Sequence, residues 1–398
     1  MINQTDFVNR WLVHIKILAD EIGPRASTTE SERRGSEYCQ DVLVRLGLQP
    51  EMEPFNSARS IFDPHLYASL AMLFAFAVYP LGGTLSAGIA ALISLVAFVS
   101  ELLELGFRDN LLRRLVPKGS SQNVVATVDP AAEHHQDMIL IGHVDSQVTP
   151  IIFSSRRWLS VYQNFTTIAF ILFSTQVLLY IAGTFTQWNW IWLASIPSAV
   201  CAILLAALCI HANRTPVTAG ANDNASGAGL VLALAEQLQV KPLQHTRVWL
   251  VCTGCEEVQH YGAIDFFNRH QVDFLKPVTI VFETLGCADP AWLVKEGIVI
   301  PFYPDSKLVR LAERLSAENP EWGAHPAQIS GGNTEMADAV RVGIPAITLM
   351  GITPQGEVPY WHQLEDTSDK MDPAVMSHAY AFVWEYLKAI DKGEARSI

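Results

Sequence analysis

A chain of 398 residues exceeds the usual span of one domain, and half of it is hydrophobic while only 17% is charged, against about a quarter in an ordinary soluble protein. That balance excludes a chain bathed in water throughout, and a net charge of -13 with a pI near 5.4 excludes the basic face that nucleic-acid binding requires. The six cysteines show no framework spacing and fall partly in apolar runs, which favours a reduced environment over a disulfide scaffold.

Met1 to Asp20 mixes polar and charged residues into its apolar pattern and lacks a continuous hydrophobic core, so it does not read as a secretory signal. Thr5 to Ala19 reads as an amphipathic helix. A second helix begins where the hydroxyls of Ser27 to Thr29 precede Glu30 and Glu32, and stops at Gly47; a strand near Leu48 to Phe55 follows. From Leu66 to Ser100 no residue is charged, with Pro80, Gly82 and Gly83 in the middle, which suits two short membrane helices hinged there. A second apolar stretch from Val161 to His211 breaks at Gly183 to Asn189, beside Tyr180, Trp188, Trp190 and Trp192, as interfacial aromatics do.

The two hairpin tips hold no Lys or Arg, whereas Arg108, Arg113, Arg114, Lys118, Arg156, Arg157 and Arg214 flank the other ends. Short basic loops stay in the cytoplasm. The expectation is a multi-pass membrane protein with both termini and every polar segment on the cytoplasmic side, its partners including the lipid bilayer. The domain division expected is a catalytic domain of residues 1–62, 106–158 and 212–398, with membrane hairpins at 63–105 and 159–211.

The remainder alternates strands and helices. Strands are expected at Gln122 to Val128, Asp137 to Gly142, Thr246 to Cys252, Pro277 to Glu283, Ala291 to Lys295 and Pro345 to Met350. Helices are expected at Ala225 to Leu238, Glu257 to His270, Asp305 to Ala317, Glu335 to Val342 and Pro373 to Ile390. This pattern implies an α/β fold, a mixed and mostly parallel sheet covered by helices on both faces.

Polar residues collect at the ends of these elements. His143 and Asp145 end one strand, Asp223 opens a helix within GANDNASG (220–227), Glu256 and Glu257 follow another strand, Glu283 ends the next, and His362 precedes the last helix. Carboxyl ends of strands are where open α/β sheets place ligands. Two imidazoles and at least four carboxylates form a nitrogen and oxygen set that suits zinc in catalytic sites.

Gly23-Pro24-Arg25 with Ser31-Glu-Arg33, the His-x-Asp at 143, the Asp-Asn-Ala-Ser-Gly at 223, the Thr-Gly-x-Glu-Glu at 253 and the His-x-x-x-Asp-Thr-x-Asp at 362 occur in the order of a known family. Together they resemble the co-catalytic di-zinc exopeptidases, among them leucyl aminopeptidases, glutamate carboxypeptidase and glutaminyl cyclase. The resemblance implies two Zn2+ per chain, one on His143, Asp223 and Glu283 and one on Asp223, Glu257 and His362, with Asp223 bridging. It implies Glu256 as general base and a peptide or amphipathic amide as substrate; Asp145 is expected behind His143, fixing its imidazole. Acyl transfer or cyclisation on the same scaffold, amino-acyl-lipid hydrolysis and a catalytically silent membrane scaffold are the alternatives. Glu283 stands where the family usually has Asp, Glu335 where many members carry a pocket-lining Asp, and the second apolar hairpin separates Asp145 from Asp223.

Overall fold

The computed structural model describes residues 3–297, 300–329 and 332–397. They form two compact units: Met1–Ser57, Gly119–Gln147 and Val217–Ile398 make the first, and Ala58–Lys118 with Val148–Pro216 the second.

The first unit is built on a sheet of eight strands: β1 (Glu51–Ala58), β2 (Lys118–Val128), β3 (Gln136–His143), β4 (Thr246–Thr253), β5 (Val278–Glu283), β6 (Pro290–Lys295), β7 (His325–Gln328) and β8 (Ala346–Gly351). Their order is β1-β2-β4-β3-β5-β8-β6-β7. β3 runs parallel to β4 and β5, β5 to β8 and β6 to β7, while β2/β4 and β6/β8 are antiparallel. The sheet is therefore mixed, as expected from the alternating pattern.

β3 sits at its centre, and all eight of its residues are buried. Met138 and Leu140 join the core on one face with Leu230, Leu234 and Phe382, and Ile139 and Ile141 join Phe266, Phe267 and Met336 on the other. This is the continuous apolar run expected of a strand covered on both sides. The register sets His143 beside Thr253 and Ile141 beside Val281. The carboxyl ends of β4, β3 and β5 thereby share one rim.

Three expectations shift. The strand near residue 50 runs from Glu51, and β7 went unread because it has only four residues and a proline. The helix expected from Glu257 starts only at Tyr261, because Cys255, Gln259 and His260 adopt left-handed backbone angles, with φ of 54, 82 and 55°. The segment after β4 is an irregular turn instead. All six cysteines are free, and Cys252 and Cys255 are buried thiols.

The second unit is helical. Phe62–Val78, Gly83–Leu105, Arg156–Thr186 and Ile196–Ala212 pack together through small residues such as Ala68, Ala75, Ala90, Ala97 and Ala202. Large apolar side chains point outward; Leu92, Leu178 and Phe185 are 61, 67 and 84% exposed. Gln176 donates to the carbonyl of Met72 across helices, and Tyr180 pairs with Ser195. Among the described residues, three helices are long and apolar enough to cross a membrane: Phe62–Leu81, Gly83–Leu105 and Arg156–Thr186. The fourth expected span is divided, with Trp190–Ala194 ending before Pro197 and a 17-residue apolar helix following.

Close backbone approach ties β3 to the helix Ser226–Val240. A Cβ at Gly142 would stand 2.5 Å from the carbonyl carbon of Gly227 and 2.7 Å from the nitrogen of Ala228. Gly142→Ala is expected to destabilise the first unit by about 1–3 kcal/mol, the usual cost of overpacking. Chemical denaturation would show the midpoint fall at constant slope; an unchanged midpoint would mean the contact yields freely.

Candidate metal centre

The rim gathers the strand-end residues singled out above. His143 Nε2 lies 3.4 Å from Asp223 Oδ1, 3.5 Å from Glu283 Oε2 and 3.7 Å from Glu256 Oε2. His362 Nε2 lies 3.2 Å from both Asp223 Oδ2 and Glu257 Oε2. Among the described residues three donor groups result, His143/Glu256/Glu257 and two that share a residue, His143/Asp223/Glu283 and Asp223/Glu257/His362, with the ligand atoms of each group within 4.8 Å of one another. Asp223 belongs to the last two and offers each a different oxygen.

Buried carboxylates hold the loops that carry these side chains. Asp145, fully buried, accepts the main-chain N–H of Glu256 at 3.1 Å on one oxygen; on the other it accepts that of Glu257 at 3.2 Å and the hydroxyl of Ser27 at 2.6 Å. Its main-chain carbonyl, rather than its carboxylate, is the nearer partner of His143 Nδ1, at 3.0 against 3.5 Å. Glu32 accepts the N–H of Cys255 and the hydroxyl of Ser121 on one oxygen and the N–H of Thr28 on the other. Three successive amides of the β4 turn are thus gripped by two acids. Asp366 does the same for the Asp223 segment, accepting Asn222 N–H at 2.6 Å and Asp223 N–H at 3.0 Å.

Arg25, also fully buried, joins the two loops by donating to the carbonyls of Val144, Ala219 and Gly220. Burial lowers its pKa to about 10 against the pull of Asp366 and Asp145. The sequence motifs around Arg25, Glu32 and Asp366 were legible, but nothing in them announced these contacts.

The electrostatics show a site short of positive charge. Burial pushes Glu257 up to about 8, with the charges of Asp223 and Glu256 adding to it against His362, and Glu283 up to about 7 for the same first reason. His362 rises to about 10 because Glu257 and Asp223 outweigh its burial, and His143 rises well above its ordinary value because Glu283 and Glu256 do likewise. Asp223, though buried, is held below the usual carboxylate range by both imidazoles.

Among the described residues, Glu257 Oε1 and Glu283 Oε1 are buried with no hydrogen-bond partner. Glu53, Glu101, Glu296 and Glu335 also carry such an oxygen, but only those of Glu257 and Glu283 belong to residues of the donor groups, where a cation would satisfy them. With two imidazoles and three carboxylates around them, the donors fit zinc or a similar divalent ion.

Glu335 belongs to none of the donor groups but stands within electrostatic reach of His143, Glu256 and Glu283, and burial pushes its pKa up to about 8. It is fully buried at the start of the helix Met336–Arg341, caps no N–H with its side chain and accepts the hydroxyl of Thr253. The rim also holds a residue that the sequence reading missed: His260 places Nε2 3.2 Å from Glu256 Oε1 and Nδ1 2.7 Å from Asp338 Oδ2.

A mixed sheet with groups of potential metal ligands at adjacent strand ends defines the class, an α/β fold with a candidate metal centre. The sequence model of Peptidase family M28 matches residues 202–387, which include Asp223, Glu256, Glu257, Glu283 and His362 but not His143. Among solved structures, the chain resembles the glutaminyl cyclase of Tannerella forsythia at 14% identity and TM-score 0.57, over 98% of this chain and 99% of that one. It resembles an aminopeptidase from Aneurinibacillus sp. strain AM-1 at 13% and 0.55, over 96 and 93%, and a zinc aminopeptidase from Bacillus subtilis at 13% and 0.54, over 95% of each. No curated protein matches significantly. The resemblance to zinc exopeptidases and glutaminyl cyclases read from the motifs is upheld, and at these identities the solved structures speak for the fold.

Ligands must shed protons to take a cation. With Glu257 and His362 both raised above 7, titrating zinc into metal-free protein at pH 7 should release protons, and affinity should fall as pH drops. Calorimetry in two buffers of different ionisation enthalpy measures the release; none would contradict these shifts.

Proposed function

We propose that the chain is a membrane-embedded, zinc-dependent hydrolase of amide bonds, of aminopeptidase type. The observation that carries it is the sharing of Asp223: each oxygen meets a different imidazole, and each imidazole meets a further buried glutamate. In this reading His143, Asp223 and Glu283 hold one zinc and Asp223, Glu257 and His362 a second. Two divalent ions bound there supply Lewis acidity to the carbonyl under attack and to the attacking water.

The chain's own groups do the rest. Glu256 is in neither of these two ligand sets, and its Oε2 faces the cluster, so it can take the water's proton and return it to the leaving amine. Asp145 holds the amides of Glu256 and Glu257 and so fixes the spacing between the proton carrier and its ligating neighbour. Glu335, buried beyond Thr253, is assigned to the substrate amine.

Glu256→Gln is expected to keep both metals and lose about 100- to 10,000-fold in turnover. Asp223→Ala should lose both ions, and His143→Ala chiefly the first. Metal analysis of each purified variant beside its rate checks this; a Gln variant running near the wild-type rate removes Glu256 from the role.

The glutaminyl cyclase resemblance favours one second reading, cyclisation of an N-terminal glutaminyl residue by the same groups. Amino-acyl-lipid hydrolysis and a silent scaffold rank behind it, the last because every expected ligand and Glu256 are present. A panel of aminoacyl amides and glutaminyl peptides separates the readings.

For the membrane, we place hairpins at 63–105 and 159–211, four crossings in all, around a catalytic domain of residues 1–62, 106–158 and 212–398 with cytoplasmic termini. Support comes from the outward-facing leucines and phenylalanine and the small-residue contacts between helices, which invert the order of a water-soluble bundle. The substrate assigned is a hydrophobic or membrane-associated peptide, since His143 lies fewer than 20 residues before the helix Arg156–Thr186 and Asp223 about a dozen after Ala212. A residue extends at most about 3.6 Å, so both segments are tethered within short reach of the bilayer.

A reporter at Gly183 to Trp190 should behave as non-cytoplasmic. Replacing Ser154 to Ala212 by a short polar linker should selectively slow long-chain hydrophobic substrates; equal rates on soluble and hydrophobic sets, with metals retained, would reduce the hairpin to an anchor.

A further inference from the structure

Resting on the reading of Glu256 as proton carrier, we infer that His260 is a positioning residue that holds the Glu256 carboxylate in its working orientation through a buried relay to Asp338. A glutamate side chain has three rotatable bonds, and a carboxylate that must take a proton on one oxygen needs its other oxygen held. Glu256 Oε1 meets His260 Nε2 at 3.2 Å while Oε2 faces the metal-ligating cluster. His260 Nδ1 meets Asp338 Oδ2 at 2.7 Å, and Asp338 Oδ1 accepts Arg341 Nη1 at 3.0 Å. Four side chains therefore run in line from the cluster to the first turns of the helix Met336–Arg341.

The backbone is shaped for this contact. Left-handed angles at Gln259 and His260 fold the turn back, so that the N–H of His260 donates to the carbonyl of Glu256 at 2.9 Å. The imidazole is returned over the side chain four residues earlier. His260 is 2% exposed and Asp338 3%. Each ring nitrogen faces a carboxylate oxygen, so the ring donates at both ends. Filling space alone would be served by an apolar side chain, without burying a string of ionisable groups.

Groups that orient a reacting side chain from behind are worth about 10- to 100-fold. With a hydrophobic aminoacyl p-nitroanilide as probe, His260→Ala should lower kcat by about that factor while KM and metal content stay at wild-type values. His260→Gln, whose amide reaches toward the position of Nε2, should recover much of the loss, and Asp338→Asn should lose part of it. In a Glu256→Gln background, His260→Ala should cost nothing further. An inactive Glu256→Gln beside a fully active His260→Ala overturns the inference and leaves Glu256 in place. A fully active Glu256→Gln overturns the role of Glu256 itself.

A readout independent of turnover covers that second outcome, a probe that is not turned over, or an alanine variant that does not fold. In protein labelled with 15N-histidine, the signals lost in His260→Gln should show a proton on both ring nitrogens, and Glu256→Gln should shift the Nε2 signal. A bare Nε2, or one indifferent to Glu256→Gln, overturns the hold on Glu256 directly.

Discussion

Asp145 is fully buried, and its two oxygens accept the amides of Glu256 and Glu257 and the hydroxyl of Ser27. An acid buried this way is stable only while those donors point at it, and the donors are fixed only while the acid is there. The rest of the rim depends on this mutual constraint. It sets the β4 turn against the end of β3, and with it the separation of His143 from Glu256 and Glu257. Glu32 repeats the device one residue earlier, at Cys255, and burial next to Asp145 raises its pKa to about 8. Asp366 repeats it on the Asp223 segment, with its pKa raised by burial to about 7.

These second-layer acids explain why a centre so rich in negative charge holds together. Each accepts main-chain N–H groups of the loops that carry the inner carboxylates and so fixes where those carboxylates stand. The inner layer is left electron-rich: two glutamates raised by burial, two imidazoles raised by the carboxylates around them, and two glutamate oxygens without a hydrogen-bond partner among the described residues. A divalent cation reverses that balance, because it favours the deprotonated form of every ligand at once. The M28 match spans Asp223, Glu256, Glu257, Glu283 and His362, and the solved zinc aminopeptidases and glutaminyl cyclases share the fold.

The helical unit follows the opposite packing rule. Its contacts are rich in alanine, with Met72, Phe173, Tyr79 and Tyr180 among them and hydrogen bonds at Gln176 and Tyr180, while many leucines, isoleucines and phenylalanines face outward. In water such a surface would associate or aggregate, whereas in hydrocarbon it is solvated and close helix approach becomes the main source of stability. Two segments of the metal-ligating rim are joined in sequence to this unit, through Val148 on one side and Pro216 on the other.

The sequence by itself determined what depends on local pattern and composition. The uninterrupted apolar run of β3 required burial on both faces, the charge-free stretches after His65 and Val161 gave long apolar helices, and the alternation of strands and helices required a layered α/β fold. His143, Asp223, Glu256, Glu257, Glu283 and His362 were legible because each ends a strand or adjoins a helix, and because their motifs follow a known order. Tertiary structure alone decided how these residues are held. Asp145 meets amides more than a hundred positions away, and Asp338 meets His260 across 78 residues. Such contacts leave no periodicity in the chain. The irregular turn after β4 likewise defied the helical pattern, since the carboxylates that grip the amides of Cys255, Glu256 and Glu257 come from other elements.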